Sequence, residues 1–311
     1  MDAGKSVVAE DRAKNPGVIF FAYVTGVFAV AAGLAWPVYL LLGTAGIDVP
    51  FHQFTFRLLH FTALAGLWPL LRALKLNDRA GWGFASTGRK ASAGFLEGFV
   101  LGVLTLGILS LVLLALGVRV PRPSLEFSAA VVGIVFLKAI IVGMVVGTLE
   151  EIWFRGALHG VAVRYAGPLM ALIAIPLVYG SLHFIRPDVA VGAADLQWSS
   201  SLVVLGNAFH RMTDFGFADS FIALATLGWL LALVRQHTGR VAECIGMHAG
   251  SVMVIQILRR LTMTDSQSPW AFAVGSFDGV VGYFAFIWFA LLAFGYIWLS
   301  RRGIFAGVAT K

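Results

Sequence analysis

Side chains able to do chemistry gather in three short stretches. The first is Gly147-Thr148-Leu149-Glu150-Glu151-Ile152-Trp153-Phe154-Arg155-Gly156, the second Tyr179-Gly180-Ser181-Leu182-His183, and the third Ile245-Gly246-Met247-His248-Ala249-Gly250-Ser251-Val252. Each lies in an apolar run. An ionisable group in hydrocarbon costs, on some scales, roughly 2.5–3.5 kcal/mol at mid-membrane, so it persists mainly where it pairs or reacts. Glu151 and Arg155 are four apart with the acid on the N-terminal side, which puts them on one helical face as an ion pair. His159 continues that stripe. Glu150 is turned by about 100° from Glu151 and away from Arg155, so its partner must come from another helix. The spacing predicts a structural pair, Glu151 with Arg155, and a second carboxylate, Glu150, presented to a cavity.

A carboxylate in a water-poor pocket is a better general base than one in water. Beside a histidine it could hold and deprotonate a water, while a second histidine donates a hydrogen bond to the oxyanion formed at a carbonyl. Glu150, His183 and His248 supply that set. One carboxylate and two histidines also match a catalytic zinc site with an open position, so the residues leave both chemistries open. Two further readings stand beside hydrolysis. Buried acid–histidine pairs relay protons in transporters, although a repeated pair of broken helices in the two halves is absent here. A non-catalytic membrane scaffold is the other, and it would not require all three groups.

The elements that must hold these residues are membrane helices. The chain has 311 residues, 59% hydrophobic and 13% charged, with a mean hydropathy of +0.86. Soluble domains carry about 25% charged residues, and no polar second domain is evident, so the expectation is one membrane domain over residues 1–311 with the motif-bearing core at about 129–258. The expected fold class is all-α, a polytopic transmembrane bundle. Crossing about 30 Å of hydrocarbon takes roughly 20 residues. Eight runs qualify, near Val18–Leu42, Phe54–Leu71, Phe95–Val118, Ala129–Val163, Pro168–Phe184, Phe221–Val234, Val241–Leu258 and Val280–Leu299. The segment from Met1 to Asn15 has mixed charge and no small-residue cleavage site, so the first span is expected to be retained.

The formal charge of +7 has a topological cause rather than a nucleic-acid partner. With the N-terminus inside, most Lys and Arg fall in inner segments: Lys5, Arg12 and Lys14, then Arg72 to Lys90, Arg155, Arg164, Arg235 and Arg240, and finally Arg301, Arg302 and Lys311. That asymmetry predicts both termini in the cytoplasm, in a cell inner or plasma membrane. Cys244 is the single cysteine, which excludes an intramolecular disulfide and a multi-cysteine metal site. Counting residues along the helices places Glu150 and His183 at matched depth on antiparallel neighbours, with His248 nominally shallower on a third helix. A long segment, Ile185 to Ser220, with Asp188, Asp195, Asp214 and Asp219, reads equally as a lid or a surface connection.

These motifs in order, Glu150-Glu151-xxx-Arg155, then Tyr179-xxx-His183, then Gly246-Met247-His248-Ala249-Gly250 preceded by Arg235-xxxx-Arg240, resemble the CPBP family of intramembrane proteases. That family includes type II CAAX prenyl endopeptidases and bacteriocin-processing or immunity proteins. The resemblance covers about the middle third of the chain. It implies an endopeptidase acting on a membrane-associated, CAAX-type protein or peptide within the lipid bilayer. Glu150 is then the general base, His183 helps to position the water, and His248 stabilises the oxyanion, with Glu151, Arg155 and Tyr179 supporting. The glutamate-activated water needs no ion, while zinc, if used, would fall on Glu150, His183 and His248. Two departures accompany it. Tyr179 stands where the family usually has phenylalanine, and Val252 stands where its CAAX-processing members have an asparagine. Valine donates no side-chain hydrogen bond, so the oxyanion would rest on His248 with a backbone group or Ser251.

Overall fold

The computed structural model describes residues 15–303 apart from 48, 77, 85–86, 126, 188, 193–194 and 214. Lys5, Arg12, Lys14 and Lys311, which contribute to the inside assignment, and Asp188 and Asp214 of the long connection lie outside the described residues. Helices α1 (Pro16–Thr44), α2 (Phe51–Ala73), α3 (Arg89–Ala115) and α4 (Ala129–Glu151) come first. Helix α4 runs without a break through a π-helical turn, Ile152–Leu158, into α5 (His159–Ala166). Then follow α6 (Pro168–Leu182), α7 (Ser200–Asn207), α8 (Ala218–Thr238), α9 (Ala242–Leu261) and α10 (Tyr283–Arg301). A two-stranded antiparallel ladder pairs β1 (Arg119–Pro121) with β2 (Thr262–Thr264).

The chain is thus a polytopic helical membrane protein, and all eight apolar runs are helices. Among the described residues, six helices are long and apolar enough to cross a membrane, the fourth being the continuous 38-residue helix Ala129–Ala166. The other two runs are α6 and α9. Helix α6 has only 15 residues. Helix α9 has 20 but carries Glu243, His248, Arg259 and Arg260. It can be that polar because protein rather than lipid surrounds most of it.

Two compact units divide the chain: Met1–Asn77 with Leu182–Phe215, and Asp78–Ser181 with Gly216–Lys311. In the first, α1 and α2 pack through Val27, Ala31 and Leu59, and α7 adds Val204 and Leu205. The Tyr23 hydroxyl donates to the Ala63 carbonyl at 2.8 Å and the buried Ser201 hydroxyl to the Ala32 carbonyl at 2.9 Å. Such bonds satisfy polar groups that lipid cannot.

In the second unit α9 is wedged between α3 and α4. Side chains at this seam are small because the backbones nearly touch. A Cβ at Gly98 or Gly102 of α3 would run into the backbone of Glu243 or Met247 on α9, and one at Gly246 or Gly250 of α9 into the carbonyls of Phe95 or Phe99 on α3. On the other side, Gly143 and Gly147 of α4 lie against Ala249. Close approach through small residues is what holds helices together where the solvent is as apolar as the core. Helix α10 closes the unit, with Trp229 edge-on to Phe294 and the Trp288 indole donating to the Thr105 carbonyl at 2.9 Å.

The β1–β2 ladder ties the far ends of α3 and α9. Arg119, 4% exposed, donates to the Thr262 and Thr264 hydroxyls and to the carbonyls of Leu258, Thr262 and Gly279. Burial pushes its guanidinium below the ordinary value, with Asp278 opposing that shift. Gly98→Ala is expected to force α3 and α9 apart, destabilising the protein by about 1–3 kcal/mol, as overpacking does. Thermal unfolding in detergent, compared with the same change at Gly107, where a Cβ meets open space, measures it.

Candidate active site

Glu151 closes the last turn of α4 and is wholly buried, as is Arg155 one turn on. The Arg155 Nη1 donates to Glu151 Oε1 at 2.7 Å, the pair expected from their spacing. Arg155 sits inside the π-helical turn, and the wider winding changes what surrounds it. Its Nη2 donates to the Gly228 carbonyl of α8 at 3.0 Å, and its guanidinium lies 4.7 Å over the ring of Tyr179 on α6. The approach to α8 requires Gly228, where a Cβ would crowd the Tyr179 ring and the backbone of Pro176. Arg235 of α8, also buried, reaches back to donate from Nε to the Arg155 carbonyl at 2.9 Å and from Nη2 to the Gly81 carbonyl at 3.1 Å. Turns of this type free backbone carbonyls and recur at functional sites. Arg155 and Arg235, counted among the inner charges from sequence, are interior residues.

His248 projects from α9 into the same layer and is 3% exposed. Its Nδ1 lies 2.7 Å from Glu151 Oε1, and its Nε2 lies 3.8 Å from Glu150 Oε2. Tyr179, 1% exposed, meets the imidazole edge-on with ring centroids 6.0 Å apart, and meets Phe154 in the same way at 5.0 Å. The two adjacent glutamates therefore live in opposite surroundings. Glu151 is dry and neutralised by Arg155, whereas the Glu150 side chain keeps 31% of its exposure. The rotation of about 100° between consecutive helical residues produces that division.

The residues singled out from sequence are distributed as follows. Glu150, Glu151, Arg155, Tyr179 and His248 meet in the second unit. His183 is half-buried in the turn just past the end of α6 and belongs to the first unit, so its part rests on the sequence pattern. In the second unit Glu150 approaches His248 of another helix, as the turn between the two acids requires. Arg235, quoted from sequence as part of the third motif, was given no role in the site, and Gly228 was not anticipated. The Arg235-xxxx-Arg240 spacing was the available signal for Arg235; Gly228 had none.

Within the second unit no three His, Cys, Asp or Glu side chains among the described residues converge to hold a metal ion. Glu150 and His248 Nε2 offer two donors where a catalytic zinc takes three from the protein, so this unit alone does not form a zinc site.

A bundle of apolar helices that holds one carboxylate buried and its neighbour open, both against a histidine of another helix, defines a polytopic membrane protein with a polar site inside its helical core. Residues 132–254 match the family model described as Type II CAAX prenyl endopeptidase Rce1-like, which supports the resemblance to the CPBP family of intramembrane proteases that the motifs carry. It runs from α4 into α9 and contains every site residue named above. No curated protein and no solved structure matches the chain.

Arg155→Ala strands the Glu151 charge in the core, which costs roughly 3–5 kcal/mol when one partner of a buried pair is removed. The expected result is a fall of order 10 °C in the apparent unfolding midpoint in detergent. Glu150→Gln, at a side chain that is 31% exposed and outside the Glu151–Arg155 pair, should leave that midpoint within about 2 °C.

Proposed function

We propose that the protein is an intramembrane endopeptidase that hydrolyses a peptide bond of a membrane-associated protein or peptide, with prenylated CAAX-type sequences as the first substrate class to test. The observation that carries this reading is the unequal pair of glutamates, one spent on structure and one left partly open beside His248. Glu150, assisted by His183, holds a water and takes its proton as the water oxygen bonds to the carbonyl carbon. The carbonyl electrons move to oxygen, and His248 donates to that oxyanion from Nε2. Collapse breaks the C–N bond, and the departing nitrogen receives the proton held by Glu150. Val252 brings no donor. A backbone N–H or Ser251, whose hydroxyl is buried and without a hydrogen-bond partner among the described residues, completes the oxyanion site. The reaction in this form needs no metal, and the active site opens from a cell inner or plasma membrane with both termini cytoplasmic.

Val252 also favours a second reading, a non-catalytic immunity or scaffold protein built on the same helices. Peptide cleavage by purified protein in proteoliposomes separates the two. Wild type should cleave a prenylated or an unmodified peptide, Glu150→Ala and His183→Ala should each lower the rate by about 100-fold or more, and a strong chelator should leave wild type unchanged. Loss with chelator and recovery with zinc would make it a metalloprotease. Absence of cleavage by folded wild type would leave the scaffold reading.

A further inference from the structure

We infer that Glu151 is a positioning residue for His248: it fixes the imidazole's orientation and commits its Nδ1 proton, so that Nε2 alone faces Glu150 and the reacting carbonyl. This rests on the protease reading and adds a task to a residue that the mechanism above leaves in a structural pair.

The argument begins with one oxygen. Glu151 Oε1 accepts from Arg155 Nη1 at 2.7 Å and lies 2.7 Å from His248 Nδ1. A carboxylate oxygen neutralised by a guanidinium has lone pairs and no proton to offer, so at that distance Nδ1 must be the donor. A neutral His248 then carries its proton on Nδ1 and presents a bare lone pair at Nε2. To donate to an oxyanion from Nε2 the ring must hold a second proton, and Glu151 is the counter-charge beside that imidazolium. Arg155 alone would saturate Glu151 only in part, since the fully buried carboxylate has several acceptor positions.

The mounting of this oxygen is stiff. Arg155 is held on its far side by the Gly228 carbonyl and through its own carbonyl by Arg235. The Tyr179 ring stacks under the guanidinium and stands edge-on to the imidazole, so one aromatic ring lies beside both partners of Glu151. On α4, Gly143 and Gly147 lie against Ala249, the residue next to His248, so the two backbones are close where the imidazole leaves α9. Reactive groups need supporting contacts of this kind to stay within a fraction of an ångström of working geometry.

Two variants test the assignment without confusing it with loss of fold. Glu151→Gln keeps an acceptor and removes the charge. Glu151→Leu with Arg155→Met removes the whole pair, a replacement that buried ion pairs tolerate far better than loss of one member. Each is read for kcat and KM, and by nitrogen NMR of histidine-labelled protein with His248 assigned through its absence in His248→Gln. In wild type Nδ1 should carry a proton throughout. The Leu/Met variant, melting near wild type, should move the proton of neutral His248 to Nε2 and, because the ring loses both its anchor and the counter-charge of the imidazolium, lower kcat about 10-fold with KM within about threefold. Adding His248→Gln to it should cost less than His248→Gln costs in wild type, because the two changes act on one function. Glu151→Gln should fall between. A folded Leu/Met variant with wild-type kcat, or with the His248 proton still on Nδ1, overturns the assignment. The NMR arm needs no turnover, so a wild type that cleaves nothing defeats the protease reading and leaves the tautomer to decide this one.

Discussion

Everything at the site depends on how closely α9 approaches its two neighbours. In a membrane the interior of a protein is no more apolar than its surroundings, so burial of hydrocarbon does little to bring helices together. Contact between backbones does, and here it is made by glycines on both sides of α9. A short reach follows. His248 needs to extend only a few ångströms from α9 to touch a carboxylate rooted on α4, which is how a group so strongly polar comes to lie 3% exposed and bonded. Had the seam been lined by leucines, at the usual interaxial distance of 8–10 Å, the same side chains would face each other across a gap.

The second organising fact is that polar groups in the core are joined rather than isolated. Arg235 holds the backbone of Arg155, Arg155 holds Glu151, and Glu151 meets His248. Each link supplies a bond that neither lipid nor a neighbouring leucine could supply, so each residue is retained by the others. Such chains make a rigid wall on one side of a site, with Glu150, the more exposed of the two acids, on the other side of His248. Helices α4 to α9, which carry this chain, are also the stretch that matches the protease family.

The helices were legible from sequence because a membrane sets their length, and a run of apolar residues about that long has few other fates. Glu151 and Arg155 were legible as a pair because four residues make one turn. What sequence did not disclose is what lies between helices. Pairing of Arg119–Pro121 with Thr262–Thr264 joins residues far apart along the chain, and three-residue strands carry no period to read. Arg235 looked like one of the inner cations that set topology, since its bond to a backbone carbonyl arises from a winding defect with no residue signature. Residue counts along separate helices likewise assume straight, upright rods, so they carry no distance between Glu150 and His248. In the long connection after α6, the short helix Ser200–Asn207 docks on α1 and α2 through Val204, Leu205 and Ser201, a pattern too brief to stand out.

The π-helical turn also makes the length of this helix part of its chemistry. A π turn holds one residue more than the α turn it replaces, so upstream and downstream halves of the rod are offset in rotation by about a residue's worth, near 100°. Loss of a single residue anywhere in Ile152–Leu158 would let the winding relax to the ordinary pitch. Every side chain before it would then turn by one position relative to those after it, and Glu150 would take the bearing that Glu151 now holds, toward the arginine instead of the opening. Composition would hardly change and hydropathy not at all. Descendants of this sequence can exchange many apolar residues along α4 and α5, but at this one place an insertion or deletion rewrites which acid is buried and which is available.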